Sequence, residues 1–136
     1  MIIGYTQGTF DMFHIGHLNL LKNAKQHCNY LIVGVNTDEL VRSYKKKNAI
    51  IPLDERMAII EAIKYVDEVI ACDSLDKTEV WHKHHFDILM IGDDWKGNQR
   101  WAKTEQDMAA LGVELIFLPY TRDTNSTLLR EKLLQY

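Results

Sequence analysis

Two histidines stand three residues apart near the amino end of the chain, in the stretch GTFDMFHIGH from Gly8 to His17. Residues i and i+3 share one face of a helix, so His14 and His17 on a first helical turn present converging imidazoles. Gly16 between them carries no side chain and lets a ligand approach the backbone, where the N–H groups of a helix start favour negative charge. A phosphate is the natural guest. Both rings donate hydrogen bonds to non-bridging oxygens and, when protonated, add charge where a pentavalent phosphorus centre becomes more negative. The alternatives are a cap or surface role for each histidine, or a metal site. The metal site needs at least one more protein ligand, and only Asp11 is near in sequence.

Such a pair needs a frame to hold it. Five short runs, Ile2 to Thr6, Tyr30 to Asn36, Glu68 to Ala71, Ile88 to Ile91 and Val113 to Leu118, are mostly apolar on both faces, as buried parallel strands are. Helical patterns alternate with them. The first covers Ile15 to His27 with Ile15, Leu18, Leu21 and Ala24 on one stripe; the second starts at Pro52 and runs through Met57, Ile60 and Ile63 to about Lys64. Further helices are predicted over Lys77 to His84, over Ala102 to Leu111 with Gly112 as the stop, and over Ser126 to Leu134 with Ser126 as N-cap. The order predicts a single α/β domain over residues 1–136: a doubly wound, Rossmann-like, open parallel five-stranded sheet with helices on both faces. Ligands of such sheets bind beyond the carboxyl ends of the strands. The polar stretches lie there: the GTFDMFHIGH motif, Asn36-Thr37-Asp38, Gly92-Asp93-Asp94-Trp95 and Tyr120 to Thr127. The least regular segment, Asp38 to Leu53 with the run Lys45-Lys46-Lys47, is expected to be mobile.

Composition narrows the partners. A formal charge of −3 excludes a protein whose main partner is the nucleic acid backbone, which demands clustered positive charge. The opening MIIGYTQGTF has no basic n-region or long apolar core, and no run approaches the roughly 20 apolar residues that span a bilayer, so a cytoplasmic location off the membrane is expected. Cys28 and Cys72 lack CxxC spacing and are expected as two free thiols.

At this point His14-Ile15-Gly16-His17 resembles the HxGH signature of nucleotidyltransferases, a signature that adenylyltransferases share. Gly8-Thr9-Phe10-Asp11, Val35-Asn36-Thr37-Asp38-Glu39, the lysine run, Asp54-Glu55-Arg56, Tyr65-Val66-Asp67-Glu68-Val69 and Met90-Ile91-Gly92-Asp93-Asp94-Trp95 narrow it. In order and spacing they resemble the glycerol-3-phosphate cytidylyltransferases over nearly the whole chain. The resemblance implies CTP and a phosphorylated small alcohol as substrates, CDP-glycerol and pyrophosphate as products, direct in-line attack, and Mg²⁺ travelling with the triphosphate rather than held by protein ligands. It implies a homodimer and a place in teichoic-acid-like or capsular polymer synthesis. Phosphocholine, phosphoethanolamine or a polyol phosphate as acceptor, ATP as donor, and a nucleotide-binding regulatory module remain the alternatives.

The same resemblance distributes roles. Thr9, Phe10 and Gly16 contact the nucleotide, His14 and His17 hold its phosphates, and Asp11 orients a histidine or the metal shell. Counting back from Arg56 selects Lys45 and Lys47 of the lysine run, and counting forward from Asp38 selects Lys46. Lys46 joins the histidines as a catalytic group, Lys47 reaches the triphosphate, and Lys45, Lys77 and Asp38 face the acceptor. Arg56 and Asp94 complete the nucleotide site, with Asp94 suited to the cytosine amino group. Near the carboxyl end, Thr121, Arg122, Ser126 and Thr127 meet the triphosphate, although Tyr120 stands where the family places arginine.

Overall fold

The computed structural model describes residues 1–45, 47–92, 99–119 and 131–134. Five strands, β1 (Ile3–Gly8), β2 (Tyr30–Asn36), β3 (Glu68–Cys72), β4 (Ile88–Gly92) and β5 (Glu114–Leu118), pair in parallel in the order β3-β2-β1-β4-β5. The chain moves outward from β1 to β3 and then returns to the other side, so the order reverses between β1 and β4. The crevice at that reversal, beyond the carboxyl ends, is where the topology leaves room for a ligand.

Five helices, α1 (Ile15–Lys25), α2 (Asp38–Lys45), α3 (Leu53–Glu61), α4 (Lys77–His84) and α5 (Gln99–Ala110), connect the strands. Alternation along β2 separates two cores: Leu31, Val33 and Val35 meet Leu21 and Ala24 of α1 and Ile60 of α3. Ile32 points to the other face, where Tyr5, Phe86 and Leu89 pack with Trp101 and Met108 of α5, and α4 adds Val80 and Trp81. Helices therefore cover both faces, as the apolar runs predict. Gly34 in β2 has a packing reason: a Cβ there would collide with the Tyr5 hydroxyl and the Cys72 thiol.

The strands agree with the sequence to within a residue or two, and α4 has the predicted bounds. One expectation fails. Asp38–Lys45 is a helix, not part of a mobile segment. Thr37 caps it by accepting the Leu40 N–H on Oγ1 at 3.2 Å, Asp38 and Glu39 sit at its positive end, and Arg42 and Lys45 at its negative end. Its apolar face is short, Leu40, Val41 and Tyr44, and of these only Val41 is buried, so the stripe is too brief to stand out beside the lysine run. The last predicted helix, Ser126 to Leu134, lies mostly outside the described residues. Among the described residues no helix is long and apolar enough to cross a membrane, and Cys28 and Cys72 are free thiols.

Candidate active site

The turn between β1 and α1 is tight: Phe10 and Met12 take left-handed backbone angles, φ 54° and 50°, which L residues other than glycine rarely adopt. Two contacts hold it there. Phe10 is buried in the α1/α3 core, and the Asp11 carboxylate accepts the N–H groups of Ile50 at 2.8 Å and Ile51 at 2.9 Å. Any contact Phe10 makes with a ligand therefore comes from its main chain. Asp11 serves to tie the segment before α3 onto the histidine motif, and its negative charge also acts on His17.

The turn delivers both histidines onto the start of α1. His14 is the N-cap residue, extended at φ −142°, and its Nδ1 accepts the Gly16 N–H at 3.0 Å. His17, three residues on, returns the contact: its Nδ1 accepts the His14 N–H at 3.1 Å. This is a capping box written with imidazoles. The helix start thus spends two of its own N–H groups on the rings, Gly16's among them, in place of offering them to an anion as the sequence suggests.

The cap has a chemical consequence. A neutral imidazole whose Nδ1 accepts must carry its proton on Nε2. Both rings are therefore fixed as Nε2–H donors, stacked with centroids 4.0 Å apart, and His17 is further packed against Phe13 and the edge of Phe10. His14 Nε2 is buried and has no hydrogen-bond partner among the described residues. Such a donor is costly to leave unmet. Burial lowers the proton affinity of His14. Burial, then the neighbouring His14 and the Lys45 ammonium, push the His17 pKa down to about 3, with Asp11 pulling the other way. The pair is neutral near pH 7.

Around it, Thr9 is nearly buried and its hydroxyl lies 3.0 Å from the Tyr44 hydroxyl of α2. Lys45 ends α2, close enough to bear on His17 electrostatically, and Lys47 is exposed. Lys46, Asp94, Thr121, Arg122, Ser126 and Thr127 lie outside the described residues. Lys77 opens α4 as a buried cation, donating to the Leu75 carbonyl at 2.9 Å with Nζ 5.0 Å from the Trp101 ring centroid.

Arg56 and Asp38 hold the frame. Arg56 is 1% exposed and donates to the carbonyls of Ile51, Thr9 and Asn36, each at 2.8 Å, while its Nη2 pairs with the Asp38 carboxylate. Asp38 also accepts the Leu53 N–H. The guanidinium expected at the nucleotide and the carboxylate expected at the acceptor neutralise one another, and together they clamp the loops after β1 and β2 to α3. Asp67, at the opposite end of the sheet from the histidines, binds Lys25 and the Leu31 N–H.

Sequence reasoning missed Tyr44 and the amide side chains it joins. Asn36 Nδ2 donates to the Tyr44 hydroxyl at 3.1 Å and approaches Thr9 Oγ1 at 3.4 Å, and Gln7 Nε2 donates to Asn36 Oδ1 at 2.9 Å. The available signal was the cap Thr37 followed by two acids, which starts the helix that carries Tyr44.

The family described as Cytidylyltransferase-like matches residues 5–132. The chain belongs to the cytidylyltransferase-like family. Within that family, glycerol-3-phosphate cytidylyltransferase of Bacillus subtilis is 36% identical over 129 residues, covering 94% of each chain. The enzyme of the same name from Bacillus spizizenii is 39% identical over 127 residues, covering 93% of this chain and 92% of its own. Among solved structures, a lipopolysaccharide core biosynthesis protein from Thermoplasma volcanium superposes with a TM-score of 0.76 at 26% identity, covering 91% of this chain and 99% of the other. The chain is a nucleotidyltransferase of this family.

Proposed function

We propose that this cytidylyltransferase transfers CMP from CTP to glycerol 3-phosphate. A phosphate oxygen of the acceptor bonds to the α-phosphorus, the bond from that phosphorus to the bridging oxygen breaks on the opposite side, and pyrophosphate leaves with the electron pair. The attacking oxygen is already anionic, so no general base is needed, and catalysis consists of positioning and charge stabilisation. One observation supports this above the rest: a buried Nε2–H on His14 with no partner among the described residues, beside the stacked ring of His17 at the carboxyl edge of the sheet. Neutral donors fixed before the substrate arrives gain most as charge grows on the phosphoryl oxygens.

In this reading His14 and His17 meet the phosphates, with Lys46 as a third catalytic group and Lys47 at the triphosphate. Thr9 and the main chain of Phe10 and Gly16 border the nucleotide. Asp94, Thr121, Arg122, Ser126 and Thr127 complete its site by family resemblance, and Lys77 and Lys45 lie on the acceptor's side. Arg56, Asp38 and Asp11 act by holding these groups in place. Among the described residues Asp11 and Asp38 already spend their oxygens on backbone N–H groups and Arg56, which supports Mg²⁺ as a passenger on the triphosphate. When bound, it screens the charge of the phosphate chain. We read the protein as a cytoplasmic homodimer supplying CDP-glycerol to a teichoic-acid-like or capsular polymer.

The test is pyrophosphate release from a matrix of CTP, ATP, UTP and GTP against glycerol 3-phosphate, phosphocholine, phosphoethanolamine and a polyol phosphate. Release confined to CTP with glycerol 3-phosphate is expected. Faster release with ATP or another acceptor reassigns the substrate, and nucleotide binding without release from any pair favours a regulatory module.

A further inference from the structure

Tyr44 sits at the meeting point of three segments that the reaction needs together. It lies in the last turn of α2, one residue before the lysine run. Its hydroxyl reaches Thr9 Oγ1 on the β1–α1 turn at 3.0 Å and accepts from Asn36 Nδ2 at the end of β2 at 3.1 Å. Asn36 does not float: Gln7 Nε2 fixes its Oδ1 and also donates to the Ser74 carbonyl at 3.0 Å, and the Gln7 Oε1 receives the Tyr5 hydroxyl at 2.6 Å. The relay therefore crosses the carboxyl ends of β3, β1 and β2 before it arrives at Thr9.

Proton counting limits the directions open to the relay. Asn36 Nδ2 has two hydrogens, and it offers them to the Tyr44 hydroxyl and, at 3.4 Å, to Thr9 Oγ1. Between those two hydroxyls one must donate. The phenol is the more acidic hydroxyl, and we take the bond to run from Tyr44 to Thr9. In that direction Thr9 Oγ1 has both acceptor positions occupied, by Asn36 and Tyr44, which leaves its own hydrogen for a third partner.

We propose that Tyr44 is a positioning residue for the nucleotide: its hydroxyl orients the Thr9 hydroxyl as a donor toward a phosphate oxygen. The inference rests on the reading above that a nucleoside triphosphate occupies this edge of the sheet. It adds a residue type with no charge and no nucleophilic role to the machinery, acting through Thr9. A tyrosine kept only for packing would fill the same space without its oxygen.

The experiment is a double-mutant cycle on CTP affinity, measured by calorimetry for the wild type, Tyr44→Phe, Thr9→Val and the double variant, each with its melting curve. Tyr44→Phe removes only the oxygen and is expected to weaken CTP binding about tenfold, the scale of one oriented bond to a charged group, with little change in melting temperature. Thr9→Val should weaken it similarly, and Tyr44→Phe in that background should add little, because the two act in series. Thr9→Ser keeps the hydroxyl and should restore sensitivity to Tyr44→Phe, which also covers the case in which Thr9→Val fails to fold. Multiplicative losses, or unchanged affinity in Tyr44→Phe, overturn the proposal. If the wild type binds no CTP, the functional reading fails instead, and the same cycle titrated with inorganic pyrophosphate decides on Tyr44: the same series behaviour supports it, and no binding or independent losses overturn it.

Discussion

His14 and His17 stack face to face at 4.0 Å, each ring locked by accepting a backbone N–H from the helix turn it begins. The Nδ1 edge of each imidazole builds the helix, and among the described residues the His14 Nε2 edge has no hydrogen-bond partner. The cap reading of the two histidines is shown, and it leaves the proposed phosphate role to the opposite side of the same rings.

That division can be separated by mutation. Asparagine is a good N-cap, so His14→Asn should hold the Gly16 N–H and keep the fold, while lacking the Nε2 donor. Its melting temperature should stay near the wild type and its turnover should fall at least about a hundredfold, as for removal of a positioned transition-state donor. His14→Ala should lose both, including about 1 kcal/mol of stability for the missing cap. Calorimetric melting and pyrophosphate release measure the two effects. An asparagine variant with more than about a tenth of wild-type turnover contradicts the role of Nε2.

The depressed proton affinity of His17 sets a pH dependence of stability. Its folded-state pKa of about 3 lies below the ordinary 6.5, because burial first, and then His14 and Lys45, disfavour the cation. Between these values the unfolded chain binds more protons than the folded one, so stability rises with pH. Acidification from pH 7 to pH 5 should therefore cost about 2 kcal/mol through this ring. His17→Gln, which retains an acceptor for the cap, should show a flatter melting profile over the same range. Equal slopes in the two proteins would remove His17 as the cause.

Arg56 should matter to the fold before it matters to substrate. Lysine cannot reproduce a planar fork that meets three carbonyls and a carboxylate, so Arg56→Lys should lower stability by about 3 kcal/mol, read as a lower urea midpoint at unchanged slope. Saturating CTP should not recover the loss beyond what it gives the wild type. Wild-type stability with weakened CTP binding would instead place the guanidinium on the nucleotide.

What the sequence showed and what it hid follow from the range of the interactions. The strands were readable because Leu31 to Val35 and Ile88 to Ile91 are buried on both faces and need apolar residues throughout. The histidine pair was readable because its spacing is local. Helix α2 was harder to read, since its apolar face, Leu40, Val41 and Tyr44, spans only eight residues and runs straight into the lysine run, where the Thr37 cap and the charges at its ends are the remaining signals. The fate of Arg56 was hidden too: its partners at Thr9, Asn36, Asp38 and Ile51 converge only once β1, β2 and α3 are assembled. A lysine expected at the acceptor, Lys77, proves buried under Trp101, which its place at a helix start did not foretell.

That buried cation makes a separable prediction for the acceptor. Lys77→Met keeps the stem against Trp101 and removes the charge. It should raise the KM for glycerol 3-phosphate about tenfold or more and leave the KM for CTP near the wild-type value, as expected when one charge-assisted contact to a phosphate is lost. Steady-state kinetics with each substrate varied in turn provide the check. Equal changes in both constants, or none, would make Lys77 a packing residue.

The most direct measurement is a crystal structure with CTP or CDP-glycerol bound. The Nε2 atoms of His14 and His17 are predicted to lie about 2.7–3.1 Å from oxygens of the phosphate chain, with both Nδ1 atoms still accepting their backbone N–H groups. A nucleotide whose phosphates lie away from both rings, in a protein that turns over in the crystal, would contradict the account.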